Sequence, residues 1–181
     1  RAGVVSIGHE ANRRSCEGAL AYPLRTLGEL AEQQGKATGI VTTARITHAT
    51  PAAVYAHSAE RYWESDRYMA KPDWELGCRD IAFQLTHFSD GGGIDVLFGG
   101  GRRSFFGSNK GGVRVAAEDD LVSDWIDGAA KRHYITTAAE LSSLQPDEQV
   151  MGLFADSHMT YIAKRPSDTD EPELAEMTAK A

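Results

Sequence analysis

The feature that most constrains this chain is a rhythm in which short apolar runs, each about one buried strand long, alternate with segments of helical period. The runs are Thr38–Thr42, centred on Gly39-Ile40-Val41, then Ile94–Phe98 and Val150–Phe154, with His133–Thr136 as a shorter candidate. Pro23–Gln34 repeats Leu24, Leu27, Leu30 and Ala31 at helical spacing, and Gly35 can cap its end. Trp74–Phe88 repeats Leu76, Ile81, Leu85 and Phe88 before Gly91–Gly93 break it. Asp119–Ala130 reads as an amphipathic helix with Leu121, Val122, Trp125 and Ile126 inward. Thr137–Leu144 carries a threonine cap, and Pro172–Lys180 starts a further helix. Buried strands alternating with helices indicate an α/β fold with a largely parallel central sheet. A chain of 181 residues is long enough for one domain with a sizeable core.

Polar residues concentrate informatively between Gly39 and Asp66, in GIVTTARITHATPAAVYAHSAERYWESD. Thr50-Pro51 looks like a helix start, with threonine as N-cap and proline at the first helical position. Arg61 can fork two N–H groups onto phosphate oxygens, which lysine cannot do. The Thr50 hydroxyl can ligate or orient a hard cation such as magnesium, and His48 can reach a metal-bound water. The bland alternatives are a plain cap for Thr50 and a solvated helix face for Arg61 beside Glu60 and Glu64. His57, among apolar residues, reads as a packed, hydrogen-bonded histidine. Distance adds a condition. A continuous helix would part Thr50 and Arg61 by roughly 16 Å, too far for one metal–phosphate cluster. If both serve one site the helix must stop, near Ala56–Ser58, and the chain must turn back.

The string VTTARITHATPAAVYAHSAER resembles the alkaline phosphatase family closely, and GGGR at Gly99–Arg102 and MGLF at Met151–Phe154 extend the likeness along the chain. The resemblance implies a fragment of a three-layer alkaline-phosphatase-like fold, occupying residues 1–181 as the central part of one domain. It implies hydrolysis of phosphate monoesters by the parent protein, with zinc and magnesium as cofactors. Arg61 matches the family's phosphate-binding arginine, Thr50 its magnesium contact, and His48 a position in the outer shell of that magnesium. Cys16 and Cys78 match positions joined by a disulfide in animal members, which would suit a periplasmic or secreted protein. Homodimerisation follows by analogy.

The chain also departs from the family. The nucleophilic serine, in a D-S-A turn, and the later D-H-x-H-H segment are not present. Ser6, Ser58 and Ser65 have no visible base or strand-to-helix elbow. None of the six histidines has a zinc-motif spacing. The loop after the triple glycine is short, and Ala155 stands where animal members have a calcium-binding glutamate, so no calcium is expected. The resemblance therefore points to an internal, marginally stable fragment that is inactive alone. The glycines themselves could cradle an anion, but a tight turn with close backbone packing is the simpler role.

Composition narrows the alternatives. Net charge is −7 with no basic block, which argues against nucleic acid as a bulk partner. No apolar run is as long as a membrane span. No signal peptide is visible and the first residue is not methionine, which reads as a processed or truncated piece. The competing functional class is a non-catalytic α/β domain that binds anions or a protein partner.

Overall fold

The computed structural model describes residues 3–181. Its centre is a four-stranded, wholly parallel sheet of β1 (Gly39–Arg45), β2 (Val96–Gly100), β3 (Arg132–Ile135) and β4 (Gln149–Leu153), in the order β1-β2-β4-β3. The helices are α1 (Cys16–Ala21), α2 (Leu27–Glu32), α3 (Ala49–Ala52), α4 (Lys71–Glu75), α5 (Ile81–Thr86), α6 (Leu121–Asp127), α7 (Ala138–Ser143) and α8 (Leu174–Lys180).

Alternation along the strands sorts the core into two faces. Ile40, Leu97 and Met151 pack with Ile81, Leu85, Leu121 and Trp125 of α5 and α6. Phe98, Val150 and Ile135 pack on the other face with Leu141 of α7 and Met177 of α8. Successive strand side chains point to opposite faces, so each face needs its own helical layer. The result is the expected α/β arrangement with helices on both sides. Cys16 and Cys78 are joined, tying α1 to the turn before α5 within a third cluster around Trp63 and Ala59.

Four local expectations are corrected. The segment Trp74–Phe88 is two helices, because Gly77 turns the chain at φ +103° and Asp80 caps a new start by accepting from the Phe83 N–H. Ile126 is 37% exposed rather than inward. Leu24 lies before α2 and is exposed, and Leu27 and Leu30 also face out, because α2 packs through Gly28, where a Cβ would lie 2.4 Å from the Val54 carbonyl oxygen. Close backbone approach fixes the rotation of that helix, so its leucines point to solvent. Finally, Thr50 is not an N-cap: α3 begins at Ala49 with His48 in the capping position, and Thr50 lies inside the first turn, exposed.

Candidate functional site

Helix α3 is a single turn. Regular helix ends at Ala52, earlier than expected, although hydrogen bonds of helical type run on to the Ala56 N–H. The chain then reverses. Val5 and Ser58 exchange backbone hydrogen bonds, the Arg61 N–H reaches the Gly3 carbonyl, and the N–H groups of Ile81 and Ala82 reach the carbonyls of Trp63 and Glu64. This turn-back delivers Arg61 to His48, with Nη2 3.3 Å from Nε2. The condition set by the Thr50–Arg61 spacing is therefore met as a break in the helix. Thr50 itself makes no side-chain hydrogen bond to the other described residues.

His48 has a pKa below the ordinary imidazole value, because burial disfavours its charge and Arg61 repels it. A neutral ring that accepts at Nε2 carries its proton on Nδ1. Arg61 stacks over Tyr62 at 5.7 Å, and among the described residues no carboxylate lies within ion-pair distance of it. It is a guanidinium oriented by a neutral base, without a counter-ion. Such a group is free to take an anion.

Behind this pair lies a buried network that sequence reading had missed. Arg45, at the end of β1, donates from Nε and Nη2 to the two oxygens of Glu64 at 2.8 and 2.7 Å. The Thr47 hydroxyl donates to Glu64 Oε2 at 2.7 Å. Burial pushes the Glu64 carboxyl up, but these hydrogen bonds outweigh it and hold the carboxyl below its usual range. Arg45 also meets His158, whose Nε2 is 2.7 Å from Nη1 and whose Nδ1 is 3.2 Å from the Arg45 N–H. A neutral ring accepts from only one of these at a time. Burial and Arg45 push the His158 pKa down, and the ring meets His48 edge-on at 5.6 Å between centroids.

The triple glycine explains how His158 arrives. A Cβ on Gly100 would lie 2.1 Å from the Ser157 carbonyl oxygen, so only glycine lets the loop after β4 cross the end of β2. Gly101 takes φ +97° and donates its N–H to the carbonyls of Ala155 and Ser157. Its amide is thus committed to this loop. The run is a packing device, and its consequence is to seat His158 on Arg45. Glu60 also differs from its solvated reading. It is 2% exposed and accepts from Arg13 and Arg14, fixing the chain just before Arg61. His57 is packed and hydrogen-bonded, to the Ser6 carbonyl and to Glu29, each at 2.9 Å.

These groups do not complete a metal centre. Among the described residues no cluster of three or more histidine, cysteine, aspartate or glutamate side chains could hold an ion. His48 Nε2 faces Arg61, and Glu64 is fully engaged. The donor set does not fit zinc. For magnesium, a hard cation that takes oxygen, the chain presents the Thr50 hydroxyl as one available ligand.

The class of protein is defined by a parallel α/β sheet with arginine and histidine side chains gathered beyond the carboxyl ends of its strands, where such folds bind ligands. The family model for alkaline phosphatase matches residues 6–181, and the chain belongs to the alkaline phosphatase family. It is 36% identical over 195 residues to the human tissue-nonspecific alkaline phosphatase, covering 99% of this chain and 36% of that protein. The alkaline phosphatase of Thermus thermophilus superposes with a TM-score of 0.69 at 28% identity, over 99% of this chain and 30% of that one. A TAB5 alkaline phosphatase variant solved with bound magnesium shares the fold, with a TM-score of 0.56 at 20% identity over 90% of this chain and 36% of that one. The chain thus spans about a third of the length of the curated relatives it matches.

Proposed function

We propose that the protein to which this chain belongs hydrolyses phosphate monoesters, and that the chain contributes the phosphate clamp rather than the reaction centre. The observation that carries this reading is Arg61, held by neutral His48 and free of any carboxylate, on residues that match the family. Two guanidinium N–H groups fork onto two non-bridging phosphate oxygens, where charge develops as the ester bond breaks. The phosphoryl group passes to water and the ester oxygen leaves with the alcohol. His48 fixes the guanidinium plane, and Arg45 and Glu64 fix the loop that bears it.

Thr50 is the residue of this chain that would ligate magnesium, with His48 in its outer shell. A bound magnesium supplies positive charge beside the phosphate. Zinc, the nucleophile and the water-activating groups are assigned to the rest of the protein, so residues 1–181 form the central part of a larger catalytic domain. The Cys16–Cys78 bridge supports a periplasmic or secreted location, since disulfides persist in oxidising compartments. A homodimer is carried over from the family.

The test is turnover of p-nitrophenyl phosphate with zinc and magnesium, by the 181-residue chain and by the longer protein that contains it. The longer protein is expected to be active and to lose on the order of a hundredfold in kcat/KM in Arg61→Ala, as when one charge-stabilising donor is removed. The chain alone is expected to be silent. Turnover by the chain alone that vanishes in Arg61→Ala would refute the division of labour, and an inactive longer protein would refute the reaction. In that second case phosphate binding without turnover would favour the anion-binding alternative.

A further inference from the structure

We propose that Glu60 is a positioning residue for Arg61, and that Arg13 and Arg14 act with it, so that the N-terminal segment holds the clamp in place. The inference rests on the phosphatase reading for its effect on turnover, though not for its effect on how Arg61 is held.

The first observation is a carboxylate buried beside the clamp and neutralised from elsewhere in the chain. Glu60 Oε2 accepts from Arg13 Nε at 2.9 Å and from Arg14 Nε at 2.7 Å, and Oε1 accepts from Arg13 Nη2 at 3.0 Å. The Glu60 side chain is 3% exposed, whereas those of Arg13 and Arg14 are 46% and 70% exposed, so the two arginines close over the carboxylate from the solvent side. Burial pushes the Glu60 carboxyl up, but the hydrogen bonds from Arg13 and Arg14 outweigh it and hold the carboxyl below its usual range.

The second observation is that the backbone leading to Arg61 is docked on the same segment, residue by residue. Ser58 exchanges hydrogen bonds with Val5, the Arg14 N–H donates to the Ala59 carbonyl at 2.9 Å, and the Arg61 N–H donates to the Gly3 carbonyl at 2.8 Å. A Cβ on Gly3 would lie 2.6 Å from Arg13 Nε. One guanidinium therefore binds the Glu60 carboxylate and packs against the residue that accepts the Arg61 N–H. On the far side, the carbonyls of Trp63 and Glu64 accept from the N–H groups of Ile81 and Ala82. Arg61 stands on an arch tied at both feet, and the Glu60 foot is held by charge. Without its arginines, the Glu60 carboxylate would be a stranded anion one residue from an unpaired guanidinium, and would compete with phosphate for it.

The test uses the longer protein that contains this chain, assayed with p-nitrophenyl phosphate well below the melting temperature of each variant. Glu60→Gln is expected to lower kcat/KM about tenfold, as when a binding group is misplaced by a fraction of an ångström. Arg14→Gly removes one guanidinium at φ +63°, a conformation glycine adopts freely, so it keeps the fold and should lower kcat/KM about threefold. In an Arg61→Ala background neither change should lower kcat/KM further, because the positioned group is gone. An independent loss in that background, as a merely structural role would give, or full activity in both single variants would overturn the proposal. In the 181-residue chain, the heteronuclear NOE of the Arg61 Nε–H, assigned by its loss in Arg61→Ala, should be high. It should fall in Arg14→Gly toward the values of exposed arginines, and an unchanged NOE would also overturn the proposal. A longer protein that is inactive with Glu60 in place defeats the phosphatase reading, and the NOE then decides the positioning role by itself.

Discussion

Glu64→Gln isolates the charge of the buried pair from its shape. In the native chain Glu64 accepts three hydrogen bonds, two from Arg45 at 2.8 and 2.7 Å and one from Thr47 at 2.7 Å. The glutamine keeps one acceptor oxygen and turns an N–H₂ toward an arginine that can only donate. Arg45, with its side chain 15% exposed, then keeps its charge with no carboxylate against it. Removing one partner of a buried pair costs about 3–5 kcal/mol. The partial exposure of Arg45 places this case at the lower end, about 3 kcal/mol. With a urea dependence of about 2 kcal/mol per molar, the unfolding midpoint should fall by about 1.5 M. In a marginal chain the cooperative transition should be lost altogether. The carboxyl of Glu64 sits below its unfolded value, so its contribution is present above about pH 4.3 and is lost as pH falls through the folded pKa. Glu64→Gln should therefore also flatten the acid limb of the stability profile. The paired change Arg45→Met with Glu64→Leu should recover most of the loss, since an apolar pair strands no charge. A Glu64→Gln midpoint within about 0.2 M of the native chain, or no recovery in the paired variant, would refute the reasoning.

Opening the Cys16–Cys78 bridge, at a separation of 62 residues, removes a constraint on the unfolded chain. The entropic estimate is about 4 kcal/mol, so thermal melts with and without reductant should differ by about 10 °C. Gly100→Ala would place a methyl group 2.1 Å from the Ser157 carbonyl oxygen, so it should cost about 3 kcal/mol in urea unfolding and release the His158 ring, read as a histidine shift in NMR spectra. The Tyr134 phenol is pushed up to about 12, chiefly by burial, and burial also raises the Tyr55 phenol well above its ordinary value, so ultraviolet titration should find two tyrosines ionising far later than the rest and only one in Tyr134→Phe. The folded pKa of Tyr134 is raised, so the stability it contributes is complete below pH 10 and declines as pH rises toward about 12.

The fold was legible because its signal is apolar and local. All four strand candidates exist, each within a few residues of its expected ends, and the parallel arrangement follows from helices between them. Helix rotation was less legible. The leucines of α2 repeat at the right spacing, yet Gly28 meets the Val54 carbonyl and turns them outward, and no periodicity reports a contact made by a missing side chain. The same blindness applies at the site. Arg61 could be singled out by residue type and motif, and the break between it and Thr50 by distance alone. Glu60 and Glu64 looked like the charged flank of a surface helix because their partners lie elsewhere in the chain. Glu64 takes its arginine 19 residues upstream, and Glu60 takes one 47 residues upstream.

His158 shows why such partners escape a linear reading. It is 113 residues from Arg45, and nothing in its own neighbourhood marks it. The mark lies at Gly100, where the absence of a side chain lets one loop cross another strand's end. Residue type nominates Arg61 for the proposed anion clamp, but the backbone crossing determines which charges surround it. Arg45 is neutralised because Glu64 is brought to it, with His158 only a hydrogen-bond partner, and Arg61 stays free because Glu60 and Glu64 are both engaged elsewhere. The anion binding proposed for the site therefore rests on where its carboxylates are committed, a property of the fold that no single motif carries.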